Sequence, residues 1–272
     1  AINRAIELNG VAVAANRAAF DSGRLAAHQP DALDSALRPR AQVVQLHVPE
    51  TFERAVARRI ADLTAYQDAA YAREYQDVVE AIAARERELA PEAKTPRLAM
   101  AVARGLFKLM AYKDEYEVAR LYTGEAFQAQ LKGQFEGDYS LRFHMAPPIF
   151  ARKDPRTGVP RKMTLGPRTM TALKLLTRLK GLRGTWFDPF GRTAERKMER
   201  ALIGEYRQTI DQLLVGLTRD KLAQAATIAG LAETIRGYGH VKASNVEKYR
   251  TELGRLMQSY TAPAPRDMPL RK

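Results

Sequence analysis

Apolar residues recur every three or four positions along most of the chain, the spacing that gathers them on one face of an α-helix. From Ile2 to Arg24 the residues Ile2, Ile6, Asn9, Val13, Asn16 and Phe20 keep this step, with alanines filling much of the rest. The pattern predicts one helix, interrupted at modest cost by Gly10 and stopped by Gly23. A second and unusually long helix is predicted from Thr51 to Leu89, through Phe52, Val56, Ile60, Leu63, Ala70, Tyr71, Tyr75 and Ile82, until Pro91 and Pro96 break it. A third runs from Pro96 to Leu121, with Leu98, Val102, Gly105, Leu109, Tyr112, Tyr116 and Ala119 in one stripe. Further helices are predicted over 168–180, 193–217, 218–229 and 244–260.

The helical period lapses in three places. Residues 28–50 hold three prolines and read as a linker or crossing segment, and the proline-rich 263–272 reads as an extended tail. Between Asp138 and Leu165, YSLRFHMAPPIF is followed by ARKDPRTGVPRKMTLG, in which DPRTG is a turn sequence. This predicts a β-hairpin or small flap over 138–165, with Pro147 and Pro148 confined to an edge or bulge. The expected fold class is therefore mainly α: a helical bundle-like module with a small β excursion. Its expected parts are a terminal helix (1–27), a linker (28–50), a helical domain (51–262) and a tail (263–272).

Composition narrows the chemistry. The absence of cysteine removes disulfides, thiolate nucleophiles and cysteine-ligated zinc or iron–sulfur centres from this stretch of chain. No apolar run reaches the length of a membrane span and no signal peptide opens the chain, so no membrane role and a cytoplasmic location are expected. The chain opens AINRAIELNG without an initiator methionine and reads as part of a longer protein. The net charge is +13, and residues 151–200 carry fourteen Lys or Arg against Asp154, Asp188, Glu195 and Glu199. Such a field attracts nucleic acid, phosphorylated ligands or an acidic partner, or it faces an acidic surface elsewhere in a parent protein.

Several stretches carry candidate chemistry. In YKDEYEVARLY (112–122), Lys113 and Glu117 stand at i,i+4 beside the apolar stripe and form the candidate structural ion pair, with Arg120 also in reach of Glu117. The competing reading makes the cluster an acid, base or anion anchor. His28, His47, His144 and His240 form no HExxH or other dense ligand set. Arg142 and His144, two apart, share one face of a strand: a small positive site, or the polar face of an edge strand. IRGYGHVK (235–242) sets Arg236, His240 and Lys242 around Gly237 and Gly239. It is a candidate anion or partner contact whose backbone could cradle an anion, or a plain turn between helices. LKGLRGTWFDPFGRTAERK (179–197) joins two helices through a loop that Trp186, Phe187 and Phe190 could clamp, with Thr193 as helix cap. The same mixture of aromatic and basic residues could stack RNA bases, but no RNP, KH or zinc-finger pattern accompanies it, so nucleic acid is not the favoured partner. An independent basic helical RNA- or anion-binding module stands as the alternative function.

Five stretches taken in order resemble a known family: INRAIELNGVAVAANRAAFDSGR, KLMAYKDEYEVARLY, FEGDYSLRFHMAPPIFARKDPRTGVPRK, LKGLRGTWFDPFGRTAERKMERALIGEY and IRGYGHVK. Together they are similar to the C-terminal region of bacterial indolepyruvate ferredoxin oxidoreductases, the long fused form within the 2-oxoacid:ferredoxin oxidoreductase family. The resemblance implies that residues 1–27 close a γ-type catalytic domain and that the rest is the additional C-terminal region. It implies a parent enzyme that decarboxylates an aryl 2-oxoacid on thiamine diphosphate with magnesium, passes the acyl group to CoA, and sends electrons through iron–sulfur clusters to ferredoxin. This chain shows no thiamine motif and no cysteine, so no catalytic, cofactor-binding or metal-binding residue is assigned to it. The expectation is a non-catalytic accessory or assembly part, inactive alone, whose partners are the remaining domains, and whose basic 151–200 region suits acidic ferredoxin.

Overall fold

A computed structural model describes residues 1–29, 50–135, 137, 139–145, 161 and 163–262. The predicted linker, the DPRTG turn, Pro147 and Pro148, and the tail fall almost wholly outside the described residues. The chain separates into two units, residues 1–49 and 50–272.

The first unit holds α1 (Ile2–Asn9) and α2 (Val13–His28) where one helix was expected. Gly10 does more than interrupt. It takes the left-handed φ of 67° and caps α1, its N–H bonding to the Glu7 carbonyl. Ala12 follows at φ 45°, a conformation that costs an L-residue energy, so two residues close together leave the helical basin and the chain restarts at Val13. Neither helix has a buried residue, and Ile2, Leu8 and Val11 are exposed.

The second unit contains α3 (Phe52–Tyr66), α4 (Ala69–Leu89), α5 (Arg97–Met110), α6 (Glu115–Thr123), α7 (Glu125–Gln134), β1 (Phe143–Met145), β2 (Met163–Leu165), α8 (Thr169–Arg178), α9 (Ala194–Val215), α10 (Leu222–Gly230) and α11 (Gly239–Thr261). The mainly helical fold with a small hairpin is thus as expected. β1 and β2 pair antiparallel, Phe143 opposite Leu165 and His144 opposite Thr164. The expected long second helix is two helices, because the Asp68 carboxylate accepts the Tyr71 N–H at 2.8 Å and starts α4. The expected third helix divides likewise: Asp114 accepts the Glu117 N–H at 2.8 Å and starts α6. The sequence pattern did not show α7, and α11 begins at Gly239, ahead of the expected Ser244.

The main core joins α4, α5, α9, α10 and α11 through Tyr75, Val79, Ile82, Leu98, Val102, Leu106, Met110, Leu202, Tyr206, Ile210, Ile228 and Val246. Each such side chain contributes about 1.5–3 kcal/mol on leaving water. Helix α5 approaches its neighbours closely at Gly105, where an added Cβ would stand 2.5 Å from the Tyr206 hydroxyl oxygen. A smaller cluster of Ala119, Phe143 and Leu173 ties α6, the hairpin and α8 together.

Helix ends inside this core need polar partners, because their terminal N–H and C=O groups have none within the helix. The buried Glu86 of α4 accepts the Leu98 and Ala99 N–H groups at 3.0 and 2.8 Å and so caps α5 from a neighbouring helix. Tyrosine hydroxyls serve other ends. Tyr71 donates to the Met110 carbonyl, Tyr206 to Ala229 and Tyr260 to Leu213, while Tyr66 donates to the Tyr112 carbonyl just past α5.

Candidate functional site

The division between α5 and α6 sets the chemistry of this region. Asp114, 3% exposed at the side chain, caps α6 and also binds Arg183, itself 4% exposed, through both carboxylate oxygens. Arg183 further donates to the Tyr66 carbonyl at 2.6 Å and to Gln67 Oε1 at 3.1 Å, and its guanidinium lies 3.6 Å from the centre of the Tyr66 ring. Burial is the largest influence on Arg183 and opposes its charge. The Asp114 hydrogen bond and the surrounding groups outweigh it and hold its pKa above the usual range. Burial, with the Asp114 charge, also pushes the Tyr66 hydroxyl far up.

Arg183 opens the loop that carries Trp186 and Phe187. The buried Asp188 folds that loop by accepting the Gly184 N–H at 2.8 Å, the Phe190 N–H at 3.0 Å and the Tyr116 hydroxyl at 3.2 Å. Tyr116 and Phe190 meet edge to face with ring centres 5.4 Å apart. The expected aromatic clamp is therefore made by Phe190 alone. Trp186 and Phe187 point outward, 81% and 76% exposed, with Arg192 over the indole at 5.3 Å. The loop thus turns two aromatic rings outward, and Trp186 borders a hollow of about 360 Å³ with Arg192, Lys197 and Arg200.

The expected Lys113–Glu117 ion pair is not formed. Lys113 falls in the break between α5 and α6, outside helical geometry, so the i,i+4 relation does not apply. Glu117 instead takes a forked pair of hydrogen bonds from Arg120 at 2.7 and 2.8 Å. Lys113 is exposed and lines a cavity of about 260 Å³ between the end of α5, α9 and the turn before α11. Lys108, Arg236 and Lys242 also line it, against Glu199 as its one lining carboxylate, and Leu109, Tyr112, Leu202 and Ile235 supply apolar wall. Glu199 is already bound by Arg196 and Lys242. Burial first, and then the charge of Arg236, hold the Lys108 ammonium below its usual pKa, with Lys242 adding to the effect and Glu233 opposing it.

Of the candidates read from sequence, Arg236 and Lys242 are brought together here, and Lys113 joins them from another element. His240 lies exposed at the start of α11 and does not line the cavity. Arg142 and His144 sit on the hairpin, both exposed, with His144 Nδ1 3.1 Å from the Thr164 hydroxyl. They contribute nothing to this cavity. The backbone cradle suggested by Gly237 and Gly239 is answered from within: the Gly239 N–H donates to Glu195 at 3.0 Å. Sequence reasoning missed Lys108 and Glu199. The signal for Lys108 was a lone cation among apolar neighbours on α5; nothing local marked Glu199.

Among the described residues of the basic 151–200 stretch, several cations are engaged within the fold. Arg183 and Arg196 enter ion pairs, Lys180 binds the Ala65 carbonyl at the end of α3, and Arg192 and Arg200 bind the Trp186 and Gly191 carbonyls. Among its described residues, Arg161, Arg168, Lys174, Arg178, Arg192 and Lys197 are exposed. No described helix is long and apolar enough to cross a membrane, and no group of three or more metal-ligating side chains gathers among the described residues.

These features define a class: a helical module with a rigid aromatic loop and a cation-lined cavity. The chain belongs to a family of unknown function, DUF6537, whose model matches residues 52–255, from the first residue of α3 into α11. No curated protein and no solved structure matches the chain.

Proposed function

We propose that the chain is a non-catalytic accessory and assembly part of a thiamine-diphosphate-dependent oxidoreductase acting on indolepyruvate or another aryl 2-oxoacid, with ferredoxin as electron acceptor. The oxidoreductase part of this reading rests on the resemblance of the five stretches to that family, and its non-catalytic, scaffolding part is supported by where those stretches spend their polar groups. Residues 108–122, 179–206 and 235–242 lie far apart in sequence, yet they bind one another through Asp114–Arg183, Tyr116–Asp188, Glu115–Arg196 and Lys242–Glu199. Side chains consumed in this way build a scaffold. What they leave on the surface, Trp186 and Phe187, is the kind of aromatic pair that anchors a protein interface.

Among the described residues, the buried carboxylates are already engaged within the fold and do not fit a magnesium–diphosphate site of their own. Glu86 caps α5, Asp114 holds Arg183, Asp188 folds the aromatic loop, Glu117 holds Arg120, and Glu199 is doubly paired. No step of thiamine chemistry is therefore assigned to this chain; CoA and the clusters belong to the parent reading. The remaining domains are the first partner, and the exposed Lys174, Arg178 and Lys197 suit the acidic surface of ferredoxin.

The test uses the full-length protein that carries this chain. Trp186→Ser with Phe187→Ser should weaken association with the catalytic domains while leaving the fold of this module intact. Charge reversal at Lys174, Arg178 and Lys197 should lower the ferredoxin-dependent rate most at low salt. An unchanged rate with unchanged salt sensitivity removes ferredoxin as the partner of these residues. A full-length protein without thiamine diphosphate removes the whole reading.

A further inference from the structure

We infer that the cavity between α5, α9 and the turn before α11 binds the phosphate or diphosphate group of a small phosphorylated molecule. The first ground is charge. Lys108, Lys113, Arg236 and Lys242 converge from three segments on one space of about 260 Å³, and the single lining carboxylate, Glu199, is already neutralised by Arg196 and Lys242. None of the other three cations is paired with a carboxylate among the described residues. Lys108 and Arg236 donate to the same Glu233 carbonyl, and Lys113 has no ion-pair partner among the described residues. These like charges repel one another, and an anion between them would relieve that repulsion. The low-lying Lys108 pKa shares this repulsion, from Arg236 and Lys242, after burial as its first cause.

The second ground is size and wall chemistry. Pockets that take whole drug-sized ligands are about 300–1,000 Å³, so this one suits a head group with a modest apolar or ring portion. A phosphate offers roughly two negative charges and three strong acceptor oxygens, which matches several convergent N–H donors. A lone carboxylate would leave most of the cations unmatched. Single-stranded RNA needs a groove that tracks its backbone with stacking rings along it, and one compact hollow does not provide that. Leu109, Leu202, Ile235 and Tyr112 border the hollow as apolar wall. The inference is independent of the oxidoreductase reading, since it rests on the cavity alone.

Isothermal titration of the full chain with inorganic pyrophosphate, ADP and sulfate tests it. Pyrophosphate and ADP should bind saturably at one site, sulfate much more weakly. Lys113→Ala and Arg236→Ala alter exposed side chains and leave the core untouched, and each should weaken pyrophosphate binding about tenfold. Arg192→Ala, at the other hollow, should leave it unchanged. Tighter binding of ADP than of pyrophosphate would assign part of the affinity to the organic portion, and equal binding would assign it to the phosphates; both outcomes support the inference. Absence of saturable binding, equal affinity for sulfate, insensitivity to Lys113→Ala and Arg236→Ala, or loss through Arg192→Ala would each overturn it.

Discussion

Replacing Asp114 by alanine removes a helix cap and half of a buried ion pair at once. Loss of the cap costs about 1 kcal/mol. Loss of the carboxylate leaves the Arg183 guanidinium, whose side chain is 4% exposed, with the Tyr66 carbonyl, the Gln67 amide oxygen and the Tyr66 and Tyr116 rings to hold its charge. Breaking a buried pair from one side costs about 3–5 kcal/mol, so the stranded guanidinium outweighs the lost cap and decides the outcome. Against a total stability of roughly 5–15 kcal/mol this is a severe loss. At about 2–4 °C per kcal/mol for a unit of this size, the melting temperature should fall by about 6–20 °C. Thermal and urea unfolding of the full chain, followed by circular dichroism, provide the assay. Two further variants separate the causes. Asp114→Asn keeps a capping oxygen but removes the charge, so it should retain most of the penalty. Asp114→Ala combined with Arg183→Met removes both charges and should be far less damaging than the two single losses added together. Strict additivity, or an Asp114→Ala cost near that of a cap alone, would refute the claim that the pair is what holds the aromatic loop to α6.

Gly105→Ala gains about 0.5–1 kcal/mol of helix propensity, but its methyl group would stand 2.5 Å from the Tyr206 hydroxyl oxygen and displace that group from the Ala229 carbonyl. A net loss of about 1–3 kcal/mol in urea unfolding is expected. Trp186→Ser should leave the melting temperature within about 2 °C of the parent, because a ring 81% exposed stabilises nothing in this chain. Alkaline titration offers a global check. Burial raises Tyr66, Tyr71, Tyr75, Tyr112, Tyr116, Tyr206, Tyr249 and Tyr260 above the ordinary 10.0, Tyr75 and Tyr249 to about 12. A folded pKa above the unfolded one contributes stability that is complete below pH 10 and is lost as pH rises through the folded value. Eight of the eleven tyrosines should therefore ionise together with the loss of helical circular dichroism above pH 10. Smooth ionisation of all eleven in the folded chain would contradict the core described here.

The apolar period revealed where helices lie but not where they stop. Both α5 and α6 send residues of one continuous stripe inward, Leu109 before the break and Tyr116 after it, so the period runs across the gap. The break was nevertheless written locally. Asp114 and Glu117 stand at the spacing of a capping box, and Asp68 occupies the same position before α4. Reading those caps would have taken Lys113 off the helix and away from Glu117. Other features have no local signal. Glu86 caps a helix twelve residues further on, and Tyr206 and Tyr260 reach carbonyls of other helices. Within the cavity, the turn residues Arg236 and Lys242 were legible as a basic cluster. Lys108 and Glu199 were not, because only tertiary packing brings α5 and α9 against that turn.

Under the proposed function this chain serves a thiamine-diphosphate enzyme without performing its chemistry. Indolepyruvate-dependent reduction of ferredoxin, measured on the full-length protein intact and with residues 50–272 deleted, tests it most directly. The intact protein should contain thiamine diphosphate and reduce ferredoxin. The deleted protein should keep the cofactor-binding parts yet lose assembly or rate, and residues 1–272 alone should be inactive. Turnover by this chain alone, or a full-length protein that neither holds thiamine diphosphate nor reduces ferredoxin, would contradict it.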